Sequence, residues 1–370
     1  MTAVNNLLTP VLRAPESILS LSLPEWDLLI PQARQTGLLA RLRFLFRSRG
    51  LMGACPDRVR AHLDSAWLVS EKHAAQVRWE ISRIQHALVR IGHPVLLLKG
   101  AAYLMAELPP AQGRLFTDID IMLPKEQLDE AERLLFGHGW ITTHQNAYDQ
   151  RYYRRWMHEL PPLQHIKRQT VLDIHHTILP LTARLKPDPE KLWAGAVGVD
   201  GQSCFKVLAP VDMVLHSATH LFHDGELQQG LRDLVDLDAL MRHFGASPDF
   251  WTQLVSRAVE LDLTRPLYYA LQYTSGILGT PVPDSILSES GVGRPGALAL
   301  PVMEYLFSRA LMPDHPSCAD RITGSAQWLL YMRSHYLRMP LYLLIPHLMR
   351  KSIIKHPTGR QRAMMLEVNK

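Results

Sequence analysis

The sequence is poor in cysteine and has no long apolar run. Its three cysteines, Cys55, Cys204 and Cys318, are far apart and odd in number. This pattern excludes a disulfide framework and a cysteine-based zinc motif, and it is typical of a reducing cytoplasm. No stretch of about eighteen apolar residues occurs, which excludes an ordinary transmembrane helix. Residues 1–15 lack the apolar segment of a signal peptide, so we expect a cytoplasmic protein.

Charge of one sign is not concentrated anywhere in the chain. The 370 residues carry a net charge of +5, with 47% apolar and 20% charged residues. This composition predicts a globular protein large enough for two or three domains. Because the lysines and arginines are scattered, the charge permits a nucleic-acid partner but does not indicate one.

The most informative stretch begins with a short apolar run at residues 95–98, which ends at Lys99 and Gly100. An unbroken apolar run of this length is typical of a buried strand. Residues 101–107 are helix formers, so we expect the chain to turn at Gly100 into a short helix. The lysine ammonium, the exposed backbone N–H groups and the helix N-terminus would attract an anion, and Arg114 adds a planar fork for phosphate.

Acidic and apolar residues alternate at residues 117–123, which predicts a second strand. Asp118 and Asp120 then share one face of that strand. Two neighbouring carboxylates form either a hard-metal site or a strained acid pair, although an isolated pair of this spacing is also common at solvated strand ends. Magnesium suits the pair, because substrate phosphates can supply the other oxygen ligands. A phosphate-carrying substrate is therefore implied.

These residues together resemble a known family. Leu98-Lys99-Gly100-Ala101-Ala102, Arg114 and Asp118-Ile119-Asp120-Ile121 are similar to the L-K-G-x-A … R-x-x-x-D-x-D signature of the polymerase-β-type nucleotidyltransferase superfamily. The resemblance is to its bacterial group of uncharacterised nucleotidyltransferases and extends in layout over residues 20–260. Most of the superfamily has Gly-Gly or Gly-Ser at the turn, so a hydroxyl contact to phosphate is missing at Ala101.

A third acid is expected on a strand at residues 169–176, where Asp173 and His175 share a face. If this strand lies beside the strand of Asp118 and Asp120, the three carboxylates suit two metal ions. The segment resembles the V-D-L-H-W strand that supplies the third acid in the same bacterial group. For His175, a structural or outer-sphere role is as good an interpretation as direct catalysis.

The resemblance implies an α+β fold in which a small mixed-sheet nucleotidyltransferase core is flanked by N-terminal and C-terminal helical regions. We place these units at residues 1–92, 93–183 and 203–370, because residues 184–202 are rich in Pro, Gly and Asp. It also implies transfer of a nucleotidyl group from a nucleoside triphosphate with Mg²⁺ or Mn²⁺. The expected triphosphate ligands are Lys99, Gly100 and Arg114, and the expected metal ligands and catalytic residues are Asp118, Asp120 and Asp173.

Periodicity predicts the remaining elements. Ser22 begins a capping box with Glu25 and so starts a helix. The expected strands include residues 140–143 and the aromatic segment 148–156, with a turn at 158–163. Further helices are expected at residues 37–46, 56–68, 74–91, 210–221, 231–244, 249–262, 265–278 and 298–311.

Polar residues on the later helices leave alternatives open. His216 and His220 are four apart on one helix, and His223, Asp224 and Asp233 follow. Such ligands could serve a helical metal-dependent phosphohydrolase, and a catalytically silent nucleotide-binding module is a third interpretation. In a nucleotidyltransferase, the same residues favour a small-molecule or protein acceptor. The basic and aromatic tail at residues 328–355 is typical either of a packed helix or of a membrane or phosphate contact.

Overall fold

The structure is a computed structural model that describes residues 5–143, 146–225 and 227–345. Along the chain, an N-terminal helical region is followed by a mixed sheet with its own helices and then by a C-terminal helical region. This is the α+β architecture that the sequence predicted. Among the described residues, no helix is both long enough and apolar enough to span a membrane.

The N-terminal region consists of helices packed around buried Trp26, Leu29 and Phe46. The Glu25 carboxylate accepts a hydrogen bond of 2.8 Å from the backbone N–H of Ser22, as the capping box predicted. The helices are α1 (Leu8–Arg13), α2 (Leu23–Gln35), α3 (Leu39–Ser48) and α4 (Asp57–Leu88).

Helix α4 is one continuous helix of 32 residues, so the prediction of two helices at 56–68 and 74–91 was wrong. The residues between the two predicted segments contain neither glycine nor proline. Nothing in the local sequence therefore ends the first helix, and buried Leu63, Ala74 and Ile81 follow one another along the same helix.

The described residues form a seven-stranded mixed sheet with the order β3-β4-β5-β2-β1-β7-β6. Strand β1 pairs antiparallel with β2 and parallel with β7, and β2 pairs parallel with β5. The central strands β1 and β2 are almost wholly buried, as their apolar residues require. The strands are β1 (Val95–Leu97), β2 (Asp118–Met122), β3 (Trp140–Thr142), β4 (Leu163–His165), β5 (Val171–His175), β6 (Val197–Val199) and β7 (Gln202–Val207).

The helices of the sheet region are α5 (Lys99–Met105), α6 (Leu128–Gly137), α7 (Ala147–Trp156) and α8 (Pro189–Gly195). The prediction of a strand at 148–156 was wrong, because this segment is helix α7. The Asn146 side chain caps the helix by accepting a 2.8 Å hydrogen bond from the backbone N–H of Tyr148. Arg154 then holds the helix against α6 through a 2.7 Å ion pair with Glu132.

One strand lies in the segment 184–202 that the sequence analysis treated as a connector, and a second strand begins at the last residue of that segment. These are β6 (Val197–Val199) and β7 (Gln202–Val207), and β7 joins the sheet directly beside β1. The sheet thus extends beyond residue 183, and the helical part begins after Val207. A further strand, β4, begins at the end of the predicted turn at 158–163.

The C-terminal helices pack around an aromatic cluster of Phe222, Tyr269, Tyr273 and Phe307. The predicted helices of this region are present, with bounds that differ by a few residues. The helices are α9 (Pro210–Thr219), α10 (Gly230–Phe244), α11 (Phe250–Glu260), α12 (Thr264–Tyr273), α13 (Asp284–Glu289), α14 (Ala299–Ala310) and α15 (Thr323–Arg338). Helix α15 contains the start of the basic and aromatic tail. The part of that tail from residue 346 onward lies outside the described residues.

Candidate active site

The register of the sheet brings the predicted acids together. In the parallel pair of β2 and β5, Asp120 lies opposite Asp173, and Asp118 lies opposite Val171. The expectation that the strand of Asp173 neighbours the strand of Asp118 and Asp120 is therefore confirmed. All three aspartates line one cleft of about 1020 Å³.

Lys99 lies at the turn between β1 and α5. Its backbone is in the left-handed region, with φ of 44°, which is costly for a residue that is not glycine. Its ammonium group donates a hydrogen bond of 3.0 Å to Oδ1 of Asp120. Burial opposes the charge of Lys99, but Asp120 outweighs burial and raises the pKa of Lys99 above its usual range. The strained turn thus aims a permanently charged lysine into the cleft.

Asp120 is the most strongly paired of the three acids. It is 5% exposed, and Oδ1 lies 3.0 Å from both the Lys99 ammonium and Nε2 of His175. Burial opposes ionisation, but Lys99 and His175 together lower the pKa of Asp120 far below its usual range. Asp120 is therefore an ion-paired carboxylate, and the repulsion between two acids expected from the sequence does not describe this residue.

Asp173 carries the unfavourable charge instead. Burial, Asp120 and Glu159 raise the pKa of Asp173 from 3.8 to about 8. Its Oδ1 atom is inaccessible and has no hydrogen-bond partner within the described residues. A buried carboxylate in this state gains from any cation that reaches it. Asp118, by contrast, is exposed at the start of β2 and accepts a 2.9 Å hydrogen bond from the Thr117 hydroxyl.

Gly100 and Arg114 form the side of the cleft next to Lys99. A Cβ atom at Gly100 would lie 3.2 Å from Nε of Arg114, so glycine allows the guanidinium to approach the first turn of α5. Arg114 forms an ion pair with Asp236 of α10, and Arg41 of α3 lies 3.7 Å from the same carboxylate. Sequence reasoning found Arg114 but not its partner, because the partner comes from a helix 122 residues later.

The opposite wall of the cleft is built by the later helices and by α7. Helix α9 contributes Ser217, the residue directly after it is His220, α10 contributes Arg232 and Asp233, and α15 contributes aromatic residues such as Trp328. The cleft therefore lies between the acid-bearing sheet and the C-terminal helices. Its wall mixes hydroxyl, imidazole, carboxylate and guanidinium groups with aromatic rings.

Glu159 is a residue of the site that the sequence analysis missed. It precedes β4, forms an isolated antiparallel bridge with His175, and its Oε2 atom lies 3.5 Å from Nδ1 of His175. Burial opposes protonation of His175, but its hydrogen bond with Asp120 and the nearby Glu159 raise its pKa overall. His175 therefore links two carboxylates, Asp120 and Glu159.

Within the described residues, the helical histidines do not form a group of three closely spaced metal ligands, as a phosphohydrolase would need. Burial lowers the pKa of His216 well below its usual range. Nδ1 of His220 lies 4.0 Å from Oδ2 of Asp233. In the part of the chain that the structure describes, the one group of three possible metal-ligating side chains whose ligand atoms all lie within 4.8 Å of one another is His158, Glu159 and His175. The side chain of Asp224 lies outside the described residues.

The fold and the cleft together define a class of protein: an α+β protein with three carboxylates and a lysine turn on the central strands of a mixed sheet. The sequence matches the family described as uncharacterised nucleotidyltransferase over residues 22–279. The match covers more than half of the chain, which therefore belongs to this nucleotidyltransferase family. A search of curated proteins found no match.

Proposed function

We propose that the protein is a metal-dependent nucleotidyltransferase that moves a nucleotidyl group from a nucleoside triphosphate to a small-molecule or protein acceptor. The observation that carries this proposal is the register that sets Asp120 opposite Asp173 in a cleft that Lys99 also lines. Family membership supports the reaction class. The metal, the donor, the acceptor and the role of each residue are our inference.

The chemistry of the acids fits a hard divalent cation, Mg²⁺ or Mn²⁺, held by Asp118, Asp120 and Asp173. The donors are all carboxylate oxygens, which hard cations prefer. The Oδ1 atom of Asp173 is inaccessible and has no hydrogen-bond partner in the part of the chain that the structure describes, so it is the kind of group that a cation would satisfy. When bound, such a cation would neutralise phosphate charge and lower the pKa of an acceptor hydroxyl.

We assign binding of the triphosphate to Lys99, Gly100 and Arg114. The Lys99 ammonium already lies in the cleft, and its pairing with Asp120 orients it there. Gly100 leaves the first turn of α5 open to a close approach, because it has no side chain. Asp236 holds the Arg114 guanidinium in place, so its fork is oriented before a ligand arrives.

The acceptor would then lie between Asp173 and the wall formed by α9, α10 and α15. Asp173 would position the acceptor hydroxyl or take its proton, because its carboxylate lines the cleft beside that wall. The mixed polar wall, with Ser217 and His220, suits a hydroxylated small molecule or a protein side chain better than a long polyanion. Selectivity in such enzymes lies in this wall rather than in the triphosphate site.

The proposal also includes the location and the domain organisation of the protein, and one alternative function. A cytoplasmic location is inferred from the three scattered cysteines, all of which are free in the structure. The division into units at 1–92, 93–183 and 203–370 stays a proposal, although the sheet itself reaches Val207. A catalytically silent nucleotide-binding module would keep the same cleft without transfer.

The test is incubation of the purified protein with each alpha-labelled nucleoside triphosphate and with fractionated lysate. Transfer of label to a small molecule or protein, lost in Asp118→Asn, is the expected result. Asp118 is exposed at the strand end, so its replacement leaves the core intact. Label found only in RNA would contradict the acceptor. No label with any of the four triphosphates, despite nucleotide binding, would favour the silent module.

A further inference from the structure

Beside the three aspartates lies a second cluster of ligating side chains with a different chemistry. One ligand atom from each of His158, Glu159 and His175 lies within 4.8 Å of the other two. All three residues line the same cleft as the aspartates. Two of the three donors are imidazole nitrogens, whereas the expected Mg²⁺ ligands are carboxylate oxygens only.

Backbone pairing fixes the position of this cluster. The backbone N–H of His176 donates to the carbonyl of His158 at 2.8 Å, and the backbone N–H of Leu160 donates to the carbonyl of Ile174 at 2.9 Å. The segment around Glu159 thus lies antiparallel to the end of β5. As a result, the rings of His158 and His175 have centroids 5.2 Å apart. The cluster is built by the fold and does not depend on flexible surface side chains.

Asp120 orients the central ligand. Nε2 of His175 lies 3.0 Å from Oδ1 of Asp120, which leaves Nδ1 on the side of Glu159, at 3.5 Å from its Oε2 atom. A carboxylate on one ring nitrogen and a metal on the other is the usual arrangement for a metal-ligating histidine, because the carboxylate sets the tautomer and raises the basicity of the ligand. His158 and His175 are both buried, at 8% and 3% exposure, so they would contribute dry nitrogen ligands.

We propose that His158, Glu159 and His175 form a separate site for a first-row divalent transition metal, represented by Zn²⁺. Two imidazoles and one carboxylate suit zinc better than magnesium, which prefers oxygen ligands and retains water. If the three ligand atoms moved closer together around one ion, they would fill three of its coordination positions and leave the others for water or substrate. The proposed zinc site borders the three aspartates through Asp120. A bound zinc ion would therefore lie in the cleft, whether or not nucleotidyl transfer takes place there.

The first test uses the wild-type protein and needs no variant. With one equivalent of Zn²⁺ bound, X-ray absorption at the zinc edge should show two imidazole ligands, with nitrogens at about 2.0–2.1 Å. A spectrum with oxygen ligands alone would overturn the proposal, because it would place zinc among the aspartates. Excess Mg²⁺ should leave the imidazole signal unchanged.

The second test compares two histidine variants. His158→Ala removes a buried ligand, whereas His138→Ala removes an exposed histidine at the end of α6 and serves as the matched control. Loss of an outer-sphere partner weakens metal binding by about 10- to 100-fold, so loss of the His158 ligand should weaken Zn²⁺ binding at least that much. The control should bind as the wild type does. Equal Zn²⁺ affinity in both variants would overturn the site.

A third measurement separates this site from the proposed function. Binding of a nucleoside triphosphate with Mg²⁺, in the absence of zinc, should be unchanged in His158→Ala, because the three aspartates remain. If zinc binds through imidazoles but no nucleotide binds, the proposed function fails and the zinc site stands. If nucleotide binds but zinc shows only oxygen ligands, the zinc site fails and the proposed function stands.

Discussion

Asp173 gives the most quantitative prediction, because its charge is buried beside other acids. Asp173→Asn should stabilise the metal-free protein at neutral pH. The folded-state pKa of Asp173 is raised from 3.8 to about 8, chiefly by burial and then by Asp120. The folded protein therefore holds a proton that the unfolded chain releases. The stabilising effect of that proton is complete below pH 3.8 and is lost as the pH rises through about 8.

The size of the effect follows from this shift. Each pKa unit corresponds to about 1.4 kcal/mol, so keeping Asp173 protonated in the fold costs on the order of 4 kcal/mol at pH 7 and on the order of 2 kcal/mol at pH 5. Asparagine does not titrate and avoids this cost. The gain in the free energy of unfolding in Asp173→Asn should therefore be larger at pH 7 than at pH 5.

Denaturant unfolding in chelator, at both pH values, measures this difference. Asp314 is exposed outside the cleft, so Asp314→Asn should change stability by less than about 0.5 kcal/mol and serves as the control. Added Mg²⁺ should stabilise the wild type more than Asp173→Asn. A variant that is less stable than the wild type at pH 7, or a difference that does not vary with pH, would refute the reasoning.

Three further substitutions test the ion pairs and the helical histidines. Asp120→Asn should abolish transfer and lower the free energy of unfolding by on the order of 3 kcal/mol, because it leaves the partly buried Lys99 without its anion; an unchanged denaturation midpoint would argue against this pairing. Asp236→Asn should lower the free energy of unfolding by a similar amount, on the order of 3 kcal/mol, because Arg114 loses its ion-pair partner. Denaturant unfolding measures this change. His216→Ala should retain labelled-nucleotide transfer, whereas phosphate-ester hydrolysis that disappears in this variant would favour the phosphohydrolase.

The parts of the site that the sequence predicted are those encoded locally. The apolar run before Lys99, the glycine after it and the alternation around Asp118 and Asp120 are short patterns, and each corresponds to the expected strand or turn. The strand of Asp173 followed from the same period of two, whereas its position beside β2 was stated only as a condition. Such patterns could be predicted because a strand or turn of a few residues depends mainly on its own side chains.

Contacts between distant residues could not be predicted in the same way. The pairing of β7 with β1 joins segments more than 100 residues apart, and neither segment carries a local signal for its partner. No local sequence pattern marks Glu159 as a residue of the site. Its position there results from its backbone bridge with His175.

The error at residues 148–156 has a different cause. Its tyrosines and tryptophan favour a strand by propensity, but the cap at Asn146 and the ion pair of Arg154 with Glu132 support a helix. Asparagine before a predicted segment was a signal for a helix start that the sequence analysis did not use.

The central claim is that the acids bind the triphosphate through a divalent cation. Isothermal titration calorimetry of a nucleoside triphosphate, with Mg²⁺ and then with excess chelator, tests it most directly. The wild type should bind only with Mg²⁺ or Mn²⁺, because the carboxylates of Asp118, Asp120 and Asp173 can hold the phosphates only through a shared cation, and Asp118→Asn should bind more weakly under the same conditions. Equal affinity in chelator and in Mg²⁺ would contradict the claim.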